Sequence, residues 1–149
     1  MLKNTITLAK YLLTKGIESS LKIQKMLFFF HFEELSNNLD YGFFNKKNNF
    51  QAWIYGPVNI ESFFFMQKYF NNQEEKEMFF LDSEEILELD GIYEKWYEKY
   101  SNFSASQLVE LSHKNESWIK ARGDKSPDEP CRNYMIEDKT FCTFIDNED

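Results

Sequence analysis

The sequence predicts a mainly α protein, a single compact helical domain over residues 1–149, with about six helices around a central buried helix at residues 20–36 and a small β-hairpin near residues 41–55. Three observations carry this expectation. Apolar residues recur at helical spacing, in segments most of which open on a Ser, Asp or Asn cap. The run Met26-Leu27-Phe28-Phe29-Phe30 is unbroken apolar sequence inside such a segment, so that helix must be covered on most sides. Between Leu39 and Tyr55 the helical period disappears, and two aromatic runs, 41–44 and 50–54, flank the polar linker Asn45-Lys46-Lys47-Asn48-Asn49.

The elements follow in order. In residues 5–15, Ile6, Ala9, Leu12 and Leu13 share one helical face, and Gly16 stands where a left-handed stop is wanted. Ser19 or Ser20 caps the central helix, whose apolar positions run through Leu21, Ile23, Met26, Leu27, Phe30 and Leu35 to the polar stop Ser36-Asn37-Asn38. Pro57 keeps Gly56 out of helical geometry, and Asn59 caps a third helix containing Ile60, Phe63, Phe64, Met66 and Phe70. Three consecutive rings at 63–65 cannot all point inward, so at least one should meet a loop or a partner. Residues 71–77 read as an exposed, mobile linker, followed by the apolar patch 78–81. Asp82 with Glu85 forms a capping box for a fourth helix carrying Ile86, Leu89, Tyr93, Trp96 and Tyr100. Gly91 inside it marks either a close helix crossing or simple tolerance. Ser104-Ala105-Ser106-Gln107 opens a short fifth helix, and Asn115 caps a sixth that ends at Gly123. Residues 124–130 form a polar loop, 134–136 an extended segment, and Phe141, Phe144 and Ile145 a terminal helix starting near Glu137.

Composition narrows the function. With 149 residues the chain suits one core, and sixteen Phe with 18% aromatic residues make that core Phe-rich. A formal charge of −8 disfavours direct nucleic-acid binding, which needs clustered Lys and Arg, and makes a basic protein partner electrostatically plausible. Cys131 and Cys142 have no CxxC or CxxH companion, so neither a zinc site nor a disulfide framework is expected, and a reduced cytoplasmic setting fits. No apolar run approaches the roughly 18 residues of a membrane span, and no export segment is expected. His31-Phe32-Glu33-Glu34-Leu35 lacks the second histidine of a zinc metalloprotease helix. GxSxG, GxxxxGK[ST] and GxGxxG are all missing, and two histidines leave few candidates for acid/base chemistry. Carboxylate pairs such as Glu33-Glu34 and Glu84-Glu85 read as solvated helix faces. No catalytic residue, metal or cofactor is expected.

Two stretches hold the candidate site residues. In Gln51-Ala52-Trp53-Ile54-Tyr55-Gly56-Pro57-Val58 large rings flank a chain reversal. Trp53, Tyr55, Gly56 and Pro57 there form either a partner-binding corner, where Trp and Tyr concentrate binding energy, or a core tryptophan beside a turn. In Leu111-Ser112-His113-Lys114-Asn115-Glu116-Ser117-Trp118 and onward, His113, Trp118 and Arg122 form either a polar contact for a partner or ligand, or a helix end at which His113 satisfies carbonyls while Trp118 packs behind it. Neither stretch contains a nucleophile, a metal cage or a phosphate loop, which points toward binding rather than chemistry.

Taken in order, Leu21-Lys22-Ile23-Gln24-Lys25-Met26-Leu27-Phe28, then Ala52-Trp53-Ile54-Tyr55-Gly56-Pro57-Val58, then Ser104-Ala105-Ser106-Gln107-Leu108-Val109-Glu110-Leu111-Ser112-His113, and Trp118 with Ala121-Arg122, resemble the Panacea antitoxin domain, also called SocA-like or GepA-like. Departures are mild: Met26 stands where Leu is usual, and Phe replaces Tyr after Leu27. The resemblance implies a mostly helical domain that neutralises a cognate toxin encoded beside it, by direct binding or by delivering it to a protease. Other family members are prophage proteins with no assigned role, so an orphan structural or interaction protein is one alternative. A small enzyme or ligand-binding protein using a His113/Arg122 pocket is the other.

Overall fold

Helix α1 (Thr5–Thr14) starts where Asn4 accepts the Thr7 amide at 2.9 Å. It stops at Gly16, whose φ of +106° lets the Ile17 amide reach Leu12 O at 3.0 Å in a Schellman closure. A computed structural model of the chain describes residues 1–72, 76 and 79–145. The expected mobile linker at 71–77 and the start of the apolar patch at Met78 fall largely outside them. Among the described residues there are six α-helices, a two-stranded antiparallel hairpin and a 3-10 helix near the C-terminus.

Helix α2 (Ser20–Ser36) opens on Ser19, whose hydroxyl accepts the Lys22 amide, and closes at Asn38, a left-handed residue with φ +55°. From Ile23 to His31 every side chain is buried, as the apolar run requires. Helices α1, α3 (Ile60–Asn71), α4 (Ser83–Ser101) and α5 (Ala105–Ser112) all pack on it. The core is largely aromatic: Phe30 stacks on Tyr93 at 5.0 Å, Phe29 on Tyr100 at 4.7 Å, and Phe28 meets both Phe50 and Phe141. Edge and stacked ring pairs of this kind contribute about 0.5–1.5 kcal/mol each beyond the area they bury.

Local signals hold throughout the later helices. Asn59 caps α3, the Asp82/Glu85 and Ser104/Gln107 capping boxes both form, and Asn115 caps α6 (Glu116–Arg122), which ends at Gly123. Of the three rings at 63–65, Phe63 packs on Trp53, Phe65 packs on Phe79, and Phe64 is 62% exposed.

Four expectations change. Glu33 and Glu34 are no solvated face: both are buried, Glu34 accepting from the Tyr93 hydroxyl and the Tyr41 amide and Glu33 facing Lys99 at 3.6 Å. The first helix is not one-sided: Thr5, Thr7, Leu8 and Tyr11 are buried along with Ala9, Leu12 and Leu13, while Ile6 is only half-buried. Helices α2 and α3 both cover α1, and the Tyr11 hydroxyl reaches Asp90 of α4 at 2.6 Å. The hairpin lies further along the chain than residues 41–55. Its strands are β1 (Gln51–Trp53) and β2 (Gly56–Val58), with Ala52 opposite Pro57 and Trp53 opposite Gly56. Residues 41–44 make no strand because their rings serve the core: Phe43 packs on Tyr93 and Phe44 stacks on His31. The other edge of β1 is taken by the C-terminal segment, through Ala52 N to Asn133 O at 2.9 Å and Met135 N to Phe50 O at 2.8 Å. Pro57, which lacks an N–H, sits in the strand away from that edge.

The terminal helix is replaced by a 3-10 helix, Lys139–Cys142. Glu137 turns inward, where its carboxylate takes His31 Nε2 at 2.5 Å and the Asn49 amide and side chain at 3.1 and 2.9 Å. Asp138 then captures Thr140, Phe141 enters the core, and Phe144 bridges to Asn115. Anchored at both ends, the segment has no length left for an α-helix.

Gly91 is exposed on α4, and a methyl group placed there meets nothing within 4 Å. The glycine reflects tolerance, with no helix crossing. Gly91→Ala should therefore raise stability by about 0.5–1 kcal/mol, read as an upward shift of the thermal midpoint.

Candidate partner-binding site

The hairpin corner is gripped from behind by three elements. From α2, Gln24 Oε1 accepts the Asn59 amide at 2.7 Å, and its Nε2 donates to Asn59 O and Ser62 Oγ. One residue on, the fully buried Lys25 donates from Nζ to Pro57 O at 2.7 Å. From α6, Trp118 Nε1 donates to Trp53 O at 3.0 Å, and Arg122 Nη1 donates to Ala52 O at 3.0 Å. From α5, Ser112 closes over Gly56. That glycine has φ +105°, and a Cβ on it would strike Ser112 Oγ and lie 2.8 Å from Lys25 Cε. Both conformation and space demand glycine there.

His113, Trp118 and Arg122 form a layered support. His113 caps the end of α5 and stacks on Trp118 at 4.3 Å with 13° between planes, and the Arg122 guanidinium lies 5.3 Å from the same ring. Arg122 is only 5% exposed and also donates through Nη2 to Ser126 O and Glu129 O. Its guanidinium is thus tied to three backbone carbonyls. His113 borders a separate cleft of about 420 Å³ with Phe103, Gln107, Glu110, Leu111 and Lys114, and Arg122 lies outside it. Burial, aided by the charges of Lys25 and Arg122, holds His113 below the usual histidine range, so its neutral form is favoured against the tryptophan. Its Nε2 has no partner among the described residues.

The outward side of the corner is different. Trp53 is half-buried against Phe63, with its Nε1 held by Gln51, and Tyr55 at the turn is 66% exposed. Together with Leu21, Phe63, the Lys25 stem and Arg132 they line a largely apolar cavity of about 540 Å³. The structure therefore divides the seven candidates: Trp53 and Tyr55 face the cavity, whereas Gly56, Pro57 and Arg122 are buried and His113 and Trp118 lie partly buried behind the hairpin. Leu21 and Arg132 had no distinguishing sequence signal, and Phe63 only that of the ring run 63–65, because the three converge from distant segments. Lys25 had one, as a lone cation beside the apolar run 26–30.

Among the described residues, no group of three or more His, Cys, Asp or Glu side chains is placed to hold a metal ion, and no helix is long and apolar enough to cross a membrane.

Two expectations follow from the buried corner. Gly56→Ala should cost at least about 2 kcal/mol, read in urea unfolding, because it adds both backbone strain and a collision. Burial pulls Lys25 down to about 7 from its ordinary 10.5. Between those values the unfolded chain holds the proton and the folded chain does not, so stability rises with pH across that window. From pH 7 to 9 the gain should be about 2 kcal/mol. Lys25→Met should flatten that slope, and an unchanged slope would refute the assignment. Tyr11, Tyr93 and Tyr100, pushed up by burial, act in the opposite sense above their ordinary value of 10.0, which sets the upper limit of the test.

Residues 23–119 match the family model described as "Antitoxin SocA-like, Panacea domain". The match runs from the second turn of α2 through the hairpin, α3, α4 and α5 into α6. Neither a curated protein nor a solved structure matches the chain. With the family model covering well over half of it, this chain belongs to the SocA-like antitoxin family and carries the Panacea domain.

Proposed function

We propose that this chain neutralises a cognate toxin, encoded beside it, by binding the toxin directly through the outward face of the hairpin and so masking its active site. The family supports an antitoxin-type role and a toxin partner. The observation that carries the choice of face is a largely apolar cavity bordered by exposed apolar side chains. Tyr55 is 66% exposed and Leu21 37%, and Phe64 stands out from the neighbouring turn of α3. Exposed apolar groups gathered on one face mark interaction sites in soluble proteins, and Tyr and Trp beside a pocket are the residue types that dominate binding energy.

Rigidity supports the same reading. The turn carrying Tyr55 follows a strand whose carbonyls are held by Arg122 and Trp118 and precedes one held by Lys25. A surface already fixed in its bound shape loses little conformational entropy on association. Gly56, Pro57, His113, Trp118 and Arg122 would contribute by holding Trp53 and Tyr55 in place.

Co-expression with the adjacent reading frame tests the proposal. Growth should be restored, the two purified proteins should co-elute, and Tyr55→Ala should weaken the complex by about tenfold without moving the thermal midpoint. Rescue without physical association would sink direct masking. Rescue that works only by depleting the toxin when a protease is present would assign the chain to adaptor function instead.

A further inference from the structure

Deepening the binding reading above, we infer that the cavity beside the hairpin is an anchor pocket for an acidic, apolar segment of the partner polypeptide: an apolar side chain enters between Leu21, Trp53 and Phe63, and a carboxylate next to it pairs with the exposed Arg132.

Charge placement carries the inference. Acidic residues outnumber basic ones by eight in the whole chain, yet the charged residues lining this cavity are Lys25 and Arg132, with no Asp or Glu among the lining residues. Neither cation forms an ion pair among the described residues. Arg132 is exposed, while Lys25 is fully buried and gives one of its three donors to Pro57 O. An exposed, unpaired arginine at the rim of an apolar cavity favours an arriving carboxylate, which its guanidinium can hold in a bidentate pair.

Shape and surroundings select a polypeptide over a free small molecule. At about 540 Å³ the cavity lies in the roughly 300–1,000 Å³ range that encloses a ligand group. The apolar surface continues from the lining ring of Phe63 onto Phe64, 62% exposed, which a ligand confined to the cavity would leave in water. A chain lying across the rim and sending one side chain inward would cover it.

The test uses the full chain and two fluorescent probes of similar shape, anionic 8-anilinonaphthalene-1-sulfonate and uncharged N-phenyl-1-naphthylamine. The anionic probe should bind more tightly, at one site, and Arg132→Glu should weaken it by about tenfold while leaving the uncharged probe largely unaffected. Equal affinity for the two probes, or an Arg132→Glu variant that binds both as the parent does, would overturn the proposal. With the toxin that the chain rescues, complex formation should displace the anionic probe, and Arg132→Glu should weaken the complex. Probe retained in the complex would mean that the cavity serves a small ligand, and would also overturn the proposal. A complex weakened by Tyr55→Ala but indifferent to Arg132→Glu keeps the binding face and rejects the acidic anchor. A complex indifferent to both rejects the face itself.

Discussion

A helix buried all round from Ile23 to His31 cannot leave polar side chains there to water, and the four least exposed polar groups of α2 are Gln24, Lys25, His31 and Glu34, each 5% exposed or less. Unsatisfied, each would cost on the order of 1–3 kcal/mol or more. Each instead finds its partner in a different part of the chain. Gln24 takes the start of α3, Lys25 the second strand of the hairpin, His31 the C-terminal segment through Glu137, and Glu34 the Tyr93 hydroxyl of α4 together with the Tyr41 amide. Burial pushes the Glu34 carboxyl up, and those two hydrogen bonds oppose the shift. The aromatic packing around α2 supplies attraction without direction. These four polar contacts supply the direction, setting where each neighbour must lie.

The hairpin shows the consequence. A two-stranded ribbon alone is marginal in water, yet here both strands are tied by side chains from α2 and α6, and the free edge of β1 is covered by residues 133–135. Gly56 permits Lys25 and Ser112 to approach the backbone closely enough to do this. The rings on the outer side are therefore presented by a scaffold fixed largely from the inner side, with Gln51 holding the Trp53 indole.

How much of this was legible depends on the range of the interaction involved. Helix starts at Ser19, Asn59, Asp82, Ser104 and Asn115 could be read directly, because a cap bonds to an amide two or three residues away. The stops at Gly16 and Gly123 were equally local. The candidate site was legible as a neighbourhood: rings beside a reversal, with a His, Trp and Arg downstream that prove to lie behind it. Its two faces were not, because whether Trp118 or Tyr55 meets solvent depends on where α6 docks. Leu21, Phe63 and Arg132 could not be grouped at all before the chain was folded.

By itself the sequence determined the helices, their ends, the burial of α2 and the kinship with SocA-like antitoxins, since all of these reside in local spacing or ordered motifs. Only the tertiary structure decided the register of the hairpin, the 3-10 ending in place of a helix, and the cavity that gathers Trp53 and Tyr55 with Lys25 and Arg132. The reason is physical: those features are selected by contacts between residues tens of positions apart, such as Glu137 on His31 and Arg122 on Ala52. Such contacts leave no periodicity along the chain.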